Sequence, residues 1–287
     1  MLNMKRFYFF LLALSLWLPI VSDAKQKAPA RVTVMSYNIR LGVANEKDYL
    51  NGWVYRQGAT PVMIAMEKPD VFGVQEAFRF QMDYILTNCP DYAVYGIGRD
   101  DGVDKGEIMG IFYNKKRLKM LRHGTFWLSE TPDRPSRGWD ARCKRTATWA
   151  LLKDRTSGKK FYFVNTHLDH RGKTARAKGL TLIVDRIREI NPKGFPMVLT
   201  GDFNVRPEDP CLQSLDGRME SARDIAVKTD RKGTFNAFTE REEYTGIIDY
   251  IYVSDWSRVL SYATLDKHYG GVKFISDHFP IKAVLEF

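Results

Sequence analysis

Residues 198–210 read VLTGDFNVRPEDP. An apolar run, Val198-Leu199-Thr200, ends in Gly201 and then delivers Asp202, Phe203 and Asn204. Side chains two apart on a strand share a face, so Asp202 and Asn204 point one way and Phe203 the other. Gly, Asp and Asn are also turn formers. The stretch reads either as a sharp exit from a buried strand or as a polar site at the mouth of a sheet, and the rest of the chain has to decide.

Nine segments are rich in Val, Ile, Tyr and Phe in the manner of strands: 31–39, 70–76, 92–98, 108–114, 146–154, 160–169, 196–204, 247–255 and 281–287. Helical patterns lie at 58–67, 78–87 and, most clearly, 173–190, where Leu180, Ile183, Val184 and Ile187 recur at helical spacing before Asn191-Pro192 stops the run. Two strand–helix–strand units stand out, 31–76 and 160–204. Residues 129–145 form the longest structureless run, and loops of that length inside a domain are often functional. No linker divides the chain, so it reads as one α/β domain with a large mixed or two-sheet β core and helices outside.

Residues 1–24 stand apart. A basic start (Lys5, Arg6) precedes an apolar run from Phe7 to Val21, then the small residues Ser22 and Ala24. This is the layout of a signal peptide cut after Ala24, and the run is short for a membrane span. The expectation is a secreted or periplasmic protein whose domain is 25–287, monomeric and without stable membrane insertion after cleavage. The formal net charge of +10 favours polyanions such as nucleic acid or anionic headgroups, although the basic residues are dispersed. Three cysteines (89, 143, 211) are few for a disulfide scaffold and match no zinc spacing. They read as core or incidental thiols.

The opening motif has counterparts. Asn38 lies near the end of the first strand and Glu76 at the end of an apolar one. NTHLDH places Asn165, His167 and Asp169 on one face. Asp249 sits inside the apolar IIDYI, and Asp277-His278 precede the last strand. Half-buried carboxylates are costly unless paired, hydrogen-bonded or metal-bound, so this many strand ends carrying them implies convergence. The residue types suit a hard-cation phosphate site. Mg²⁺ takes one or two protein carboxylates plus water and phosphate, and Glu76 is the best candidate ligand with Asn38 orienting it. Asp202 with Asn204 suits the attacking water and the phosphate. A His beside an Asp can be held protonated against a phosphoryl oxyanion or act as acid or base.

The ordered series SYN(38), QE(76), NTH(167), GDFN(202–204), IDY(249) and SDH(277–278) resembles the endonuclease/exonuclease/phosphatase superfamily over residues 31–287. The resemblance implies a four-layer α/β sandwich, two packed mixed β-sheets flanked by helices, with the site at one sheet edge. It implies that Glu76 binds the divalent cation, supported by Asn38, with Asp277 in the metal and water network. Mg²⁺ is the expected cofactor, with Mn²⁺ able to substitute. Asp202 aligns or deprotonates the water, Asn204 contacts the phosphate, His278 stabilises the phosphoryl oxygens oriented by Asp249, and His167 contacts phosphate or leaving group. Arg145 stands where many relatives carry a phosphate-binding Arg, and Arg99, Asn165 and His170 complete the candidate substrate contacts. Ile247 departs from the basic residue many relatives carry two before the IDY Asp. The subgroup most resembled is bacterial and includes secreted members, on GRDDG…GE (98–107), FWLSETPD (126–133) and NTHLDHRG (165–172). There Arg99, Asp101 and Glu107 are either substrate-related or parts of a solvated hairpin loop, and Trp127 and Trp139 either stack on substrate or pack in the core.

The expected function is a secreted metal-dependent phosphoesterase that hydrolyses a phosphodiester by in-line attack of an activated water, with a nuclease as the leading specific reading. The alternatives are a phosphatase or phospholipase-type enzyme acting on sugar or inositol phosphate, nucleotide or sphingomyelin, and a secreted phosphate- or sugar-binding module without catalysis. NTHLDH also resembles a zinc-hydrolase motif, but Asn165 replaces its first His, and five His in the chain are few for a two-zinc site.

Overall fold

A computed structural model describes residues 29–43, 49–241 and 246–287. The segment read as a signal peptide lies outside the described residues. In chain order the strands are β1 (Arg31–Asn38), β2 (Val71–Ala77), β3 (Tyr92–Tyr95), β4 (Ile108–Asn114), β5 (Leu118–Trp127), β6 (Thr146–Asp154), β7 (Lys160–His167), β8 (Met197–Asp202), β9 (Glu220–Ser221), β10 (Asp249–Ser254), β11 (Arg258–Thr264) and β12 (Ile281–Glu286). The helices are α1 (Trp53–Arg56), α2 (Ala59–Glu67), α3 (Arg79–Asn88), α4 (Lys173–Ile190) and α5 (Ala222–Ile225).

The strands form two mixed six-stranded sheets, ordered β11-β12-β1-β2-β4-β3 and β5-β6-β7-β8-β10-β9. Both strand–helix–strand units exist, and each closes with a parallel pair, β1 with β2 and β7 with β8. The apolar alternation explains the layering. Val32, Val34, Val71, Phe163, Val198 and Ile251 fill the space between the sheets. Met35, Tyr37 and Phe72 face outward onto Met63 and Ile64 of α2 and Met82 and Ile85 of α3. On the other side Val164, Leu199 and Phe203 meet Leu180, Ile183, Val184 and Ile187 of α4. Burial of each such side chain is worth about 1.5–3 kcal/mol. The result is a helix–sheet–sheet–helix sandwich, as the sequence implied.

Three strands escape the sequence pattern, β5, the two-residue β9 and β11. All three are edge strands. Lys119, Arg122 and His123 of β5 are exposed, as edges that resist further pairing tend to be, and the charge hides the period. The 92–98 run stops at Tyr95, before Gly96 and Gly98 lead into a loop. The long 129–145 loop is tied to the start of α4, where Asp140 accepts hydrogen bonds from Thr174 N (3.2 Å) and Ala175 N (2.7 Å). All three cysteines are free. No helix among the described residues is long and apolar enough to cross a membrane.

Candidate active site

Strand register brings the polar residues together. In the second sheet His167 pairs with Asp202 across β7 and β8, and Asp249 pairs with Asp202 across β8 and β10. Three charged or titratable side chains thus stand in one row. In the first sheet Asn38 pairs with Gln75, and Glu76 follows at a bulge in the β2–β4 ladder with φ of 60°. Bulged strands re-aim side chains, and non-glycine residues in this region are strained. Asp277 and His278 arrive from the loop before β12, where Phe235 bridges to His278 and lays its ring 5.0 Å from the imidazole.

Asn204 leaves the strand. Its φ is 54°, and its backbone N–H donates to Asp202 Oδ1 at 2.9 Å, a side-chain-closed turn. Phe203 is buried against the helix layer. Both readings of GDFN therefore hold at once: the turn is real, and it folds Asn204 back over the carboxylate it follows.

Asp202 is the hub. Its Oδ2 accepts from Asn38 Nδ2 at 3.0 Å and lies 3.4 Å from His167 Nε2 and 3.7 Å from His278 Nε2. The Asn38 amide also donates to Glu76 Oε1 at 3.2 Å, joining the two sheets across the site. Glu76 Oε2 accepts from Leu41 N at 3.1 Å. Asp277 faces Arg40 Nη1 at 3.5 Å. Arg40 was not singled out in the sequence. It follows Asn38 by two residues in a left-handed conformation, and its backbone N–H donates to Asn38 Oδ1 at 3.0 Å.

The two histidines are pushed in opposite directions. Burial by itself lowers the His278 pKa, but Asp249, whose Oδ2 is 2.8 Å from His278 Nδ1, and Asp202 together outweigh it and raise it to about 10. Burial lowers that of His167 well below the ordinary range, and Arg145 and Arg99 add to the effect. Asn204 Nδ2 donates to His167 Nε2 at 2.9 Å and to Leu168 O at 3.0 Å, which makes Nε2 the acceptor of a neutral ring. Asp202 itself is pushed up to about 7 by burial, against the pull of His278 and with the push of Asp249 and Glu76. Titratable groups whose environments separate them in this way are candidates for acid and base roles.

The donors suit a hard cation. Ligand atoms of Glu76, His167 and Asp202 lie within 4.8 Å of one another. Burial raises the Asp277 carboxyl, partly offset by His278, and the Glu76 charge raises it further. A divalent cation held by Glu76 and Asp202, whose carboxylates the Asn38 amide N–H joins, would offset the Glu76 charge, so these carboxylates fit the implied metal.

One sequence assignment changes. Asn165 shares a face with His167 but lies deeper, between the sheets. Its Nδ2 donates to Val74 O (2.8 Å) and Gly110 O (3.1 Å), and its Oδ1 accepts from Gln75 Nε2 (2.6 Å). Gly73 makes room for it, since a Cβ there would stand 2.4 Å from Asn165 Oδ1. Asn165 is an inter-sheet clamp, with no capacity left for substrate. His170 is exposed beside Arg145, with Nη2 3.2 Å from its Nδ1. Arg99 is committed to Glu107 at 2.6 Å. Glu107 also lies 3.8 Å from Arg145 Nη1 and 3.7 Å from His167 Nδ1, so this loop carboxylate organises one wall of the site. Asp101 accepts from Val103 N and Lys105 N and shapes the hairpin loop. Trp127 is buried and donates to Arg99 O (2.7 Å), while half-buried Trp139 lies under Lys178. Asp169 caps the turn after β7, accepting from Arg171 N and Gly172 N.

A two-sheet α/β sandwich with a carboxylate–histidine cluster at its open end defines a class of metal-dependent phosphoesterases. The chain belongs to the Endonuclease/Exonuclease/phosphatase family, whose sequence profile matches residues 35–278. A family member from Bacteroides thetaiotaomicron superposes with a TM-score of 0.85 at 35% identity, over 90% of this chain and 98% of its own. A mannosyl-6-phosphatase of the same organism superposes with a TM-score of 0.84 at 36% identity, over 89% of this chain and 100% of its own. An uncharacterized protein of Acanthamoeba polyphaga mimivirus is 27% identical over 179 residues, 60% of this chain. The match spans 66% of that curated relative, just under two thirds of its length.

Proposed function

We propose that the protein is a divalent-cation-dependent phosphatase of small polar phosphate esters, sugar phosphates first among them. Its central observation is the geometry around Asp202, buried at the end of its strand with Oδ2 3.0 Å from Asn38 Nδ2, 3.4 Å from His167 Nε2 and 3.7 Å from His278 Nε2. Glu76 and Asp277 would hold the cation, with Asn38 orienting Glu76 through its amide N–H, and the cation when bound would neutralise charge on the scissile phosphate. Asp202 orients the attacking water and takes its proton, a task that favours a pKa near the working pH. His278, kept protonated by Asp249, donates to a phosphoryl oxygen whose charge grows in the transition state. Asn204 spends both amide hydrogens on His167 and Leu168 O, so its side chain acts first by fixing His167. Arg145 has a buried Nη1 with no hydrogen-bond partner and is the candidate to meet the phosphate directly.

The substrate choice is supported by the 36% identity to a mannosyl-6-phosphatase along that protein's whole length. The nuclease reading rests on a net charge of +10, which is a dispersed property. Purified protein with Mg²⁺ should be assayed against mannose 6-phosphate, glucose 6-phosphate, inositol phosphates, plasmid DNA, RNA oligonucleotides and sphingomyelin. The expected result is turnover of a sugar monoester at least a hundredfold above any diester. Turnover confined to nucleic acid would replace this reading with the nuclease, and phosphate or sugar binding without turnover would favour the binding module. We also propose export, with cleavage after Ala24. N-terminal sequencing of the mature protein should begin at Lys25.

A further inference from the structure

Arg223 stands outside the catalytic cluster. It lies on α5, is 7% exposed, and has a buried Nη1 with no hydrogen-bond partner. Among the described residues no carboxylate pairs with it, and its one close neighbour of note is the ring of Tyr262, 6.0 Å away. A ring face at that distance compensates only part of the cost of desolvating a guanidinium. The Tyr262 hydroxyl is likewise buried and makes no well-aligned hydrogen bond, with the Thr264 side chain beside it.

Both residues line a cavity of about 380 Å³. The cavity has a topological cause. β9 is two residues long and pairs with β10 only at Tyr252 and Val253, so β9 leaves the Asp249–Ile251 end of that edge uncovered. The aromatic side chains of Tyr250 and Tyr252 also line the space. The acidic groups nearby are otherwise engaged or at the rim. Asp249 is bound to His278 at 2.8 Å, Asp224 lies 3.9 Å from Arg231, and Glu208 is exposed.

We propose that this cavity is a binding site for a small oxyanion, a phosphate or a carboxylate, held by the Arg223 guanidinium and the Tyr262 hydroxyl, behind Asp249 and apart from the catalytic phosphate site. A planar guanidinium matches such groups with two parallel hydrogen bonds. The sequence carries Glu242 and Glu243 shortly before Ile247, which also lines the cavity. A carboxylate of the chain itself is therefore the competing occupant.

The test uses chelator-treated protein, in which the clustered carboxylates of Glu76, Asp202, Asp249 and Asp277 oppose an anion at the catalytic site. Inorganic phosphate and, separately, acetate are titrated at constant ionic strength while the melting temperature is followed. The effective oxyanion should raise it by about 5 °C at a hundredfold excess over Kd. Arg223→Gln should abolish the rise, and Tyr262→Phe, which keeps the ring, should weaken binding at least fivefold even if the Arg223 variant folds poorly. Both variants should keep hydrolytic activity within about threefold. The paired arms tell phosphate from carboxylate. The proposal fails if neither oxyanion shifts the wild type, or if Tyr262→Phe and Arg223→Gln respond as it does. It also fails if only the Glu242→Gln/Glu243→Gln variant gains a response, because the chain's own carboxylates then fill the cavity.

Discussion

The two strand–helix–strand units share a topology and deliver their chemistry differently. In the second unit register alone suffices: His167 and Asp202 are direct partners across a parallel pair, and Asp249 completes the row. In the first unit the paired residues are Asn38 and Gln75, and the functional carboxylate is one position further on, at Glu76, where the ladder shifts and φ is 60°. Such a conformation in a non-glycine residue costs about 1–3 kcal/mol. The second unit therefore places its titratable groups on a regular lattice. The first accepts backbone strain to aim Glu76, which under the proposed function would be the cation's oxygen ligand. The Asn38 amide, bonded to both Glu76 and Asp202, sets the distance between them.

Changes in the second unit should cost most. Asp202→Asn keeps the shape and removes the base, and kcat should fall about 10³–10⁴-fold. Steady-state kinetics on a phosphate monoester would measure this, and a variant within tenfold of wild type would remove Asp202 from the chemistry. In the first unit Glu76→Gln should lower kcat/KM about 10²–10³-fold and raise the Mg²⁺ concentration needed for half-maximal rate. A chelator should abolish wild-type activity and Mg²⁺ or Mn²⁺ restore it. An unchanged metal titration in the Glu76 variant would move the cation to the other unit.

The Asp249–His278 pair links the comparison to pH. The folded-state pKa of His278 is raised to about 10 from an ordinary 6.5. The folded protein then binds more protons than the unfolded chain between those values, so stability falls as pH rises. The pair's contribution is complete below about pH 6.5, declines above it and is gone beyond about pH 10. Melting temperatures of metal-free protein across this range should show the decline, and Asp249→Asn should flatten it while lowering kcat about a hundredfold. An equally steep profile in the variant would mean that Asp249 does not set the charge of His278.

The period of two is enough to imply a mixed or two-sheet β core with helices outside, and the cost of unpaired carboxylates to imply that the polar strand ends converge, while the four-layer sandwich and the residue roles follow only from the family resemblance. Depth was not legible. Asn165 and His167 have the same face and nearly the same neighbours in sequence, yet one lies between the sheets and the other at their open end. The bulge at Glu76 left no mark either, since nothing in VQEA demands a positive φ. β5 and β11 were hidden by the polar residues that suit edge strands. Net charge suggested nucleic acid, but charge without position cannot choose among phosphate esters.

Asn165 gives the smallest catalytic effect and the sharpest contrast with its neighbour two residues on. Asn165→Ala removes the partner of Val74 O, Gly110 O and Gln75 Nε2 inside the sandwich. Buried groups left unsatisfied cost about 1–3 kcal/mol each, and partial relaxation makes a total of about 3 kcal/mol reasonable. For a domain of this size that lowers the melting temperature by about 6–12 °C. The folded fraction should keep kcat and KM within about threefold, because the side chain has no free hydrogen-bonding capacity to offer a substrate. A tenfold rise in KM with an unchanged melting temperature would restore Asn165 to the substrate site and make the clamp between the sheets a minor contact.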